Sequence, residues 1–266
     1  MKLQTLTINS STSFLVSVFL LISASSCKKT NDITQTPKQV NALSASDIIA
    51  APNLVAWYKF TNGNTADFSG NNNHLTPYNV TPTTDRNGKP NNAFYFSGNG
   101  SFMKAANTST LNPSTITIAV LCKPQGFYTG TGQLSRILMK GDDDQTNGVY
   151  YMSYNVNKQF DGNYGDNQFN NSYVQSSANT LVLDNWYKLV YTYDGTVSKL
   201  YVNDTLVSSS RKTASFTPNT DPLRVGKTGR PDYPYWFIGV IDEIRIYNTA
   251  LARPQLTQIA NQLGKE

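Results

Sequence analysis

From Leu54 onward, short hydrophobic runs alternate with clusters of Asn, Gly, Asp and Pro. Residues 54–60 (LVAWYKF) read as a strand that stops at Asn62-Gly63-Asn64, and residues 92–96 (NAFYF) as a short aromatic strand closed by Ser97-Gly98. In residues 186–193 (WYKLVYTY), Tyr187, Leu189, Tyr191 and Tyr193 fall on one face with the period of two expected of a strand. That segment runs into Asp194-Gly195, a strong hairpin signal. The return strand, residues 199–203, reaches a second turn at Asn203-Asp204 and continues through Thr205 and Val207. Strands of this length at roughly 8–12-residue spacing predict an antiparallel sandwich without a fixed-period repeat. Only the end of the chain has a helical pattern: Leu256, Ile259 and Leu263 share one face and predict a single terminal helix.

Composition agrees with this pattern. Asn occurs 29 times in 266 residues, with 17 Gly and 12 Pro, and only 15% of residues are charged. Dense charge is what coiled coils, long bundles and charged disordered tails need, so these classes are excluded. The net charge of +5 is dispersed, with no basic run longer than a pair such as Lys28-Lys29. Nucleic-acid binding needs a clustered basic stripe, so no nucleic-acid partner is expected. Cys122, inside the apolar residues 115–122, reads as a small core hydrophobe.

The N-terminus reads as an address. Lys2 precedes an apolar core at residues 14–22 (FLVSVFLLI), and Ala24-Ser25-Ser26 leads directly into Cys27. The apolar core is too short to span a membrane and suits a signal peptide. A small-residue stretch ending in Cys resembles the lipobox of bacterial lipoproteins, which implies lipidation of Cys27 and a membrane anchor in the cell envelope, as an outer-membrane lipoprotein. An ordinary secretory signal with a leftover Cys remains the alternative. The expected organisation is a signal peptide at 1–26, a flexible Thr-, Asn- and Pro-rich tether at 27–52 and one domain at 53–266.

Three stretches together resemble LamG-like jelly-roll domains of the concanavalin A-like lectin/glucanase superfamily. These are residues 54–60 followed by 67–75 (DFSGNNNHL), the hairpin at 186–207, and the closing segment 239–251 (GVIDEIRIYNTAL). The resemblance spans about residues 53–252. It implies an all-β fold of two curved antiparallel sheets, with first and last strands paired and a concave face or loop rim that often binds glycans.

The closing strand contains an anomaly of its own. A strict period of two puts Ile238, Val240, Asp242, Ile244 and Ile246 on one face, so a carboxylate shares a face with four apolar side chains. Such a carboxylate costs several kcal/mol unless it is paired or binds a metal. A bulge turning it outward, or an Arg or backbone partner, would also resolve the conflict. The resemblance implies a structural calcium held by Asp242, Asp67 and loop carbonyls, among them that of His74. Calcium takes six to eight oxygen ligands, which such a loop could supply.

Two segments mix aromatic with amide and carboxylate side chains, residues 160–169 and 230–237. Sugar sites need this mixture, a flat ring against the C–H face of the sugar and polar groups for its hydroxyls. Tyr164, Tyr233, Tyr235 and Trp236 are the candidate platforms. The acidic loop from Gly141 to Gly148 fails the EF-hand pattern and reads as a solvated hairpin loop. Retaining glucanases of the superfamily carry two carboxylates at i and i+4 on one strand, about 5–5.5 Å apart. No such array occurs here, and Asp242 and Glu243, being adjacent, are expected on opposite faces. The expected function is non-catalytic binding of carbohydrate by a lipid-anchored envelope protein. The alternatives are a glycoside hydrolase or polysaccharide-processing enzyme, and an adhesive surface protein that binds protein.

Overall fold

The computed structural model describes residues 50–142, 148–166 and 170–263. The expected signal peptide, Cys27, most of the tether and residues 143–147 of the acidic loop lie outside this range. The described residues form fifteen strands, one α-helix and three single-turn 3-10 helices. The strands are β1 (Leu54–Tyr58), β2 (Thr76–Tyr78), β3 (Thr81–Thr83), β4 (Ala93–Ser97), β5 (Phe102–Ala105), β6 (Ile116–Pro124), β7 (Leu134–Lys140), β8 (Val149–Asn155), β9 (Phe160–Gly165), β10 (Val174–Gln175), β11 (Tyr187–Tyr193), β12 (Val197–Val202), β13 (Thr205–Arg211), β14 (Leu223–Val225) and β15 (Ile238–Tyr247); the helix is α1 (Arg253–Gln262). One sheet runs β13-β12-β11-β6-β15-β4-β3 with β1 also on β15, and the other runs β10-β9-β8-β7-β14-β5-β2. The pairings are antiparallel, and first and last strands meet with Leu54 opposite Tyr247. This is the all-β sandwich expected from the sequence.

The central hairpin shows how the pattern becomes packing. Tyr187, Leu189, Tyr191 and Tyr193 of β11 all enter the core between the sheets. Asp194 fixes the turn after them, its Oδ1 accepting from the backbone N–H groups of Thr196 and Val197 at 2.9 and 2.7 Å. At the next turn Asn203 and Asp204 have φ of 48° and 68°, the left-handed pair that a tight two-residue hairpin requires. Cys122 is fully buried in the same core, and burial pushes its thiol pKa up, away from thiolate chemistry.

The closing strand departs from strict alternation. Ile241 lies opposite Cys122 and Glu243 opposite Leu121, so Asp242 is an extra residue in a β-bulge. The core takes Ile241, Ile244 and Ile246, so Ile238, Val240 and Asp242 do not share a face with Ile244 and Ile246, which corrects the expectation of strict alternation. Inserting one residue reverses the alternation, which keeps the carboxylate out of the apolar layer. On the outward side, the Glu243 carboxylate accepts from Trp57 Nε1 at 2.8 Å and Arg245 Nε at 2.6 Å, and Arg245 donates to Gln262 Oε1 at 2.9 Å. Helix α1 covers this side. Leu256, Ile259 and Leu263 pack with Trp57, Val190 and Tyr247 as a second apolar layer, each such side chain contributing about 1.5–3 kcal/mol when fully buried.

Candidate functional site

The outward face of the seven-stranded sheet carries polar side chains where the opposite face carries the core. In β9, Phe160 and Tyr164 enter the core, so Asp161 and Asn163 project the other way. Register places Arg136, Ser153, Asp161 and Gln175 in one row across four strands, and Met139, Tyr151 and Asn163 in the next. Arg136 Nη1 donates to Ser153 Oγ at 2.8 Å, and Ser153 Oγ donates to Asp161 Oδ1. The Arg136 guanidinium lies 3.6 Å from the centre of the Tyr151 ring and 5.6 Å from that of Tyr235. Beside them Asn163 is fully buried, yet among the described residues neither its amide nitrogen nor its oxygen has a hydrogen-bond partner. Each such orphaned group costs about 1–3 kcal/mol. Tyr173, 40% exposed, stands at the rim, its hydroxyl pKa raised by burial first and then by Asp161 and Tyr151.

The four expected aromatic platforms separate. Tyr164 is a core residue, which corrects its assignment: it is 1% exposed, stacks on Tyr193 and Phe216 at 4.4 and 4.8 Å, and donates its hydroxyl to the Pro113 carbonyl at 2.6 Å. Both ring faces are therefore taken. Tyr235 does reach the polar cluster. Its carbonyl accepts from the Arg136 backbone N–H at 2.8 Å, and its φ of 46° is a left-handed conformation that bulky residues rarely adopt. Tyr233 lies beside it at 6.3 Å. Trp236 instead faces Phe102, at 6.3 Å, and the Lys227 ammonium, at 4.9 Å. Sequence reasoning missed Arg136, Tyr151, Ser153 and Tyr173. The alternation of apolar and polar positions in residues 149–155 marks Tyr151 and Ser153 as outward, but only the register joins them to Arg136 and Asn163.

Asp67 and Asp242 occupy different surroundings. Asp67 Oδ1 accepts from the backbone N–H groups of Trp57 and Ser69, and Oδ2 from the Ser69 hydroxyl and the Asn73 N–H, all at 2.8–3.0 Å. His74 Nδ1 accepts from the Asp67 N–H at 2.9 Å. The Asp242 carboxyl receives the Arg86 backbone N–H, and the acids that act on it are Glu243 and Asp85. Its Oδ2 is buried without a hydrogen-bond partner among the described residues.

Residues 97–257 match the Laminin_G_3 model of the concanavalin A-like lectin/glucanases superfamily. The chain belongs to this family. Adhesion G-protein coupled receptor V1 of Danio rerio is 26% identical over 199 residues, which cover 69% of this chain and 3% of the receptor. Among solved structures, the binding domain of Paraclostridial Mosquitocidal Protein 1 has a TM-score of 0.65 at 17% identity, over 80% of this chain and 53% of that one. Domain 4 of AbnA, an extracellular arabinanase of Geobacillus stearothermophilus in complex with arabinotriose, has 0.61 at 20% identity, over 78% and 98%. The binding domain of botulinum neurotoxin DC in complex with SialylT has 0.62 at 12% identity, over 81% and 52%. The chain thus spans about half of the toxin structures and a small fraction of the receptor.

Within this Laminin_G_3 fold, the residues expected to hold calcium fit it unequally. Asp67 has its lone-pair positions filled by four protein donors, so it has little to offer a cation. Asp242 has the orphaned oxygen and the crowd of like charge that a cation would relieve. Among the described residues, no group of three His, Cys, Asp or Glu side chains is arranged to hold a metal ion.

The Asp242 carboxyl has a measurable signature. Its pKa is raised from 3.8 to about 7 by burial first, then by Glu243 and Asp85, with Arg86 pulling it partly back. A folded-state value above the unfolded one means that the native state binds the extra proton. The contribution to stability is therefore fully present below about pH 4 and is lost as pH rises through about 7. In chelator-treated protein, the unfolding free energy of wild type should fall across this window relative to Asp242→Asn, by something on the order of 3 kcal/mol. Parallel urea-denaturation profiles for the two proteins would contradict this.

Proposed function

We propose that this Laminin_G_3 domain binds carbohydrate without chemistry, at the outward face of the seven-stranded sheet. The observation that carries the proposal is the buried Asn163 amide, with donor and acceptor both unmet among the described residues, beside Tyr151 and the Arg136–Ser153–Asp161 chain that Tyr235 adjoins. An amide offers a sugar hydroxyl both a donor and an acceptor, and flanking aromatic rings suit its apolar face. Structures of the same fold bound to arabinotriose and to SialylT support the reading. The acids that adjoin one another in the closing strand are a poor catalytic pair, since Glu243 is committed to Arg245 and Trp57.

The same reading places the protein in the cell envelope as an outer-membrane lipoprotein, held by a lipid on Cys27. Radiolabelled fatty acid should enter the wild-type protein and not Cys27→Ser; equal labelling, or none in either, would remove the anchor. It also assigns a calcium ion to Asp242. Millimolar calcium above pH 7 should raise the melting temperature of wild type and leave Asp242→Asn unchanged, whereas equal responses would exclude Asp242 as the ligand.

A glycan array tests the central part. Wild type should bind a subset of glycans, release no reducing sugar from a polysaccharide panel, and lose binding at least about tenfold in Asn163→Ala and Tyr235→Ala. Capture of protein ligands alone, or turnover of a polysaccharide, would replace the reading.

A further inference from the structure

Beyond Asn163, the same sheet face carries a patch that the sugar site does not use. Tyr78 on β2 lies directly opposite Phe102 on β5, and the two rings stack at 4.4 Å. Trp236 continues the aromatic surface at 6.3 Å from Phe102. Two ammonium groups bracket these rings. Lys104 Nζ lies 5.7 Å from the centre of Tyr78, and Lys227 Nζ lies 5.0 and 4.9 Å from those of Phe102 and Trp236. Neither ammonium has a hydrogen-bond or ion-pair partner among the described residues. Arg224, opposite Lys104 in register, adds a third cation and donates to the Gly141 carbonyl at 3.1 Å. The acids facing the patch are Asp142, which acts on Arg224 and Lys227, and Asp221, which acts on Arg224. Among the described residues, the three cations outnumber these two acids, and Tyr78 is 36% exposed.

Register ties the patch to the proposed sugar site. Thr76, Lys104, Arg224, Met139, Tyr151 and Asn163 are successive cross-strand neighbours over six strands. At about 4.8 Å per strand, Lys104 and Asn163 stand about 19 Å apart on one face. A ligand meeting both is longer than a monosaccharide.

We infer that the patch formed by Tyr78, Phe102, Trp236, Lys104 and Lys227 is an anion-selective subsite for the uronic-acid residues of an acidic polysaccharide. The inference rests on the carbohydrate reading and adds the ligand's charge. Aromatic rings receive the apolar face of the sugar, and the unpaired ammonium groups receive its carboxylate.

Affinity electrophoresis of the full chain in gels holding polygalacturonate, or one of a panel of neutral polysaccharides, tests it. Polygalacturonate should retard wild type, and raising salt from 50 to 300 mM should weaken that retardation. Lys104→Gln/Lys227→Gln should bind polygalacturonate about fivefold less tightly while melting like wild type. Asn163→Ala should weaken retardation by any polysaccharide that wild type binds. If the double variant and wild type are retarded alike by polygalacturonate, or only neutral polysaccharides retard wild type, the inference falls and the carbohydrate reading stands. If none retards wild type, both fall.

Discussion

The extra residue Asp242 in β15 is the constraint on which the rest of this sandwich depends. The closing strand pairs with β6 along one side and with β4 and β1, end to end, along the other. It must therefore present an apolar face inward over most of its length. The bulge lets Ile241, Ile244 and Ile246 all point into the core while Glu243 and Arg245 meet Trp57 on the other side. Without it, either a carboxylate would enter the core or the isoleucines would leave it. The residue that makes the switch carries a carboxyl whose pKa is raised by burial first and then by Glu243 and Asp85.

Alternation also builds the proposed site. Each strand of the seven-stranded sheet gives one face to the core, and where β7, β8 and β9 lie side by side the other face collects Arg136, Tyr151, Ser153, Asp161 and Asn163. The core side is filled by stacked aromatics such as Tyr164 on Tyr193, and there only the Tyr150 hydroxyl goes without a hydrogen-bond partner among the described residues. The outward side is not fully satisfied, and Asn163 bears the deficit. Rigid strands rather than loops therefore place the polar groups, and the Tyr235 loop is drawn over them by its backbone bond to Arg136.

The fold was legible from residues 186–207, because hairpin turns and period-two faces are local signals, whereas the bulge reverses the period-two face of the closing segment. Tyr187 to Tyr193, the Asn203-Asp204 turn and the terminal helix all follow from short windows of sequence. The site was legible only in part. Segment 160–169 mixes aromatic and polar residues as sugar sites do, but the phase of β9 buries Tyr164 with Phe160 and leaves Asp161 and Asn163 outward. The bulge was open to sequence reasoning only as one resolution of the Asp242 conflict, because a single inserted residue leaves no local mark. Arg136 and Ser153 meet Asp161 through register between strands, which no single window contains.

The most direct test of glycan binding at the outward face is nuclear magnetic resonance of the Asn163 side-chain amide during titration with a glycan that the protein binds. This amide and the backbone amides of Ser153 and Asp161 should shift together and saturate at the same ligand concentration. Shifts confined to α1 and the outward face of the eight-stranded sheet, with the Asn163 amide unmoved, would contradict it.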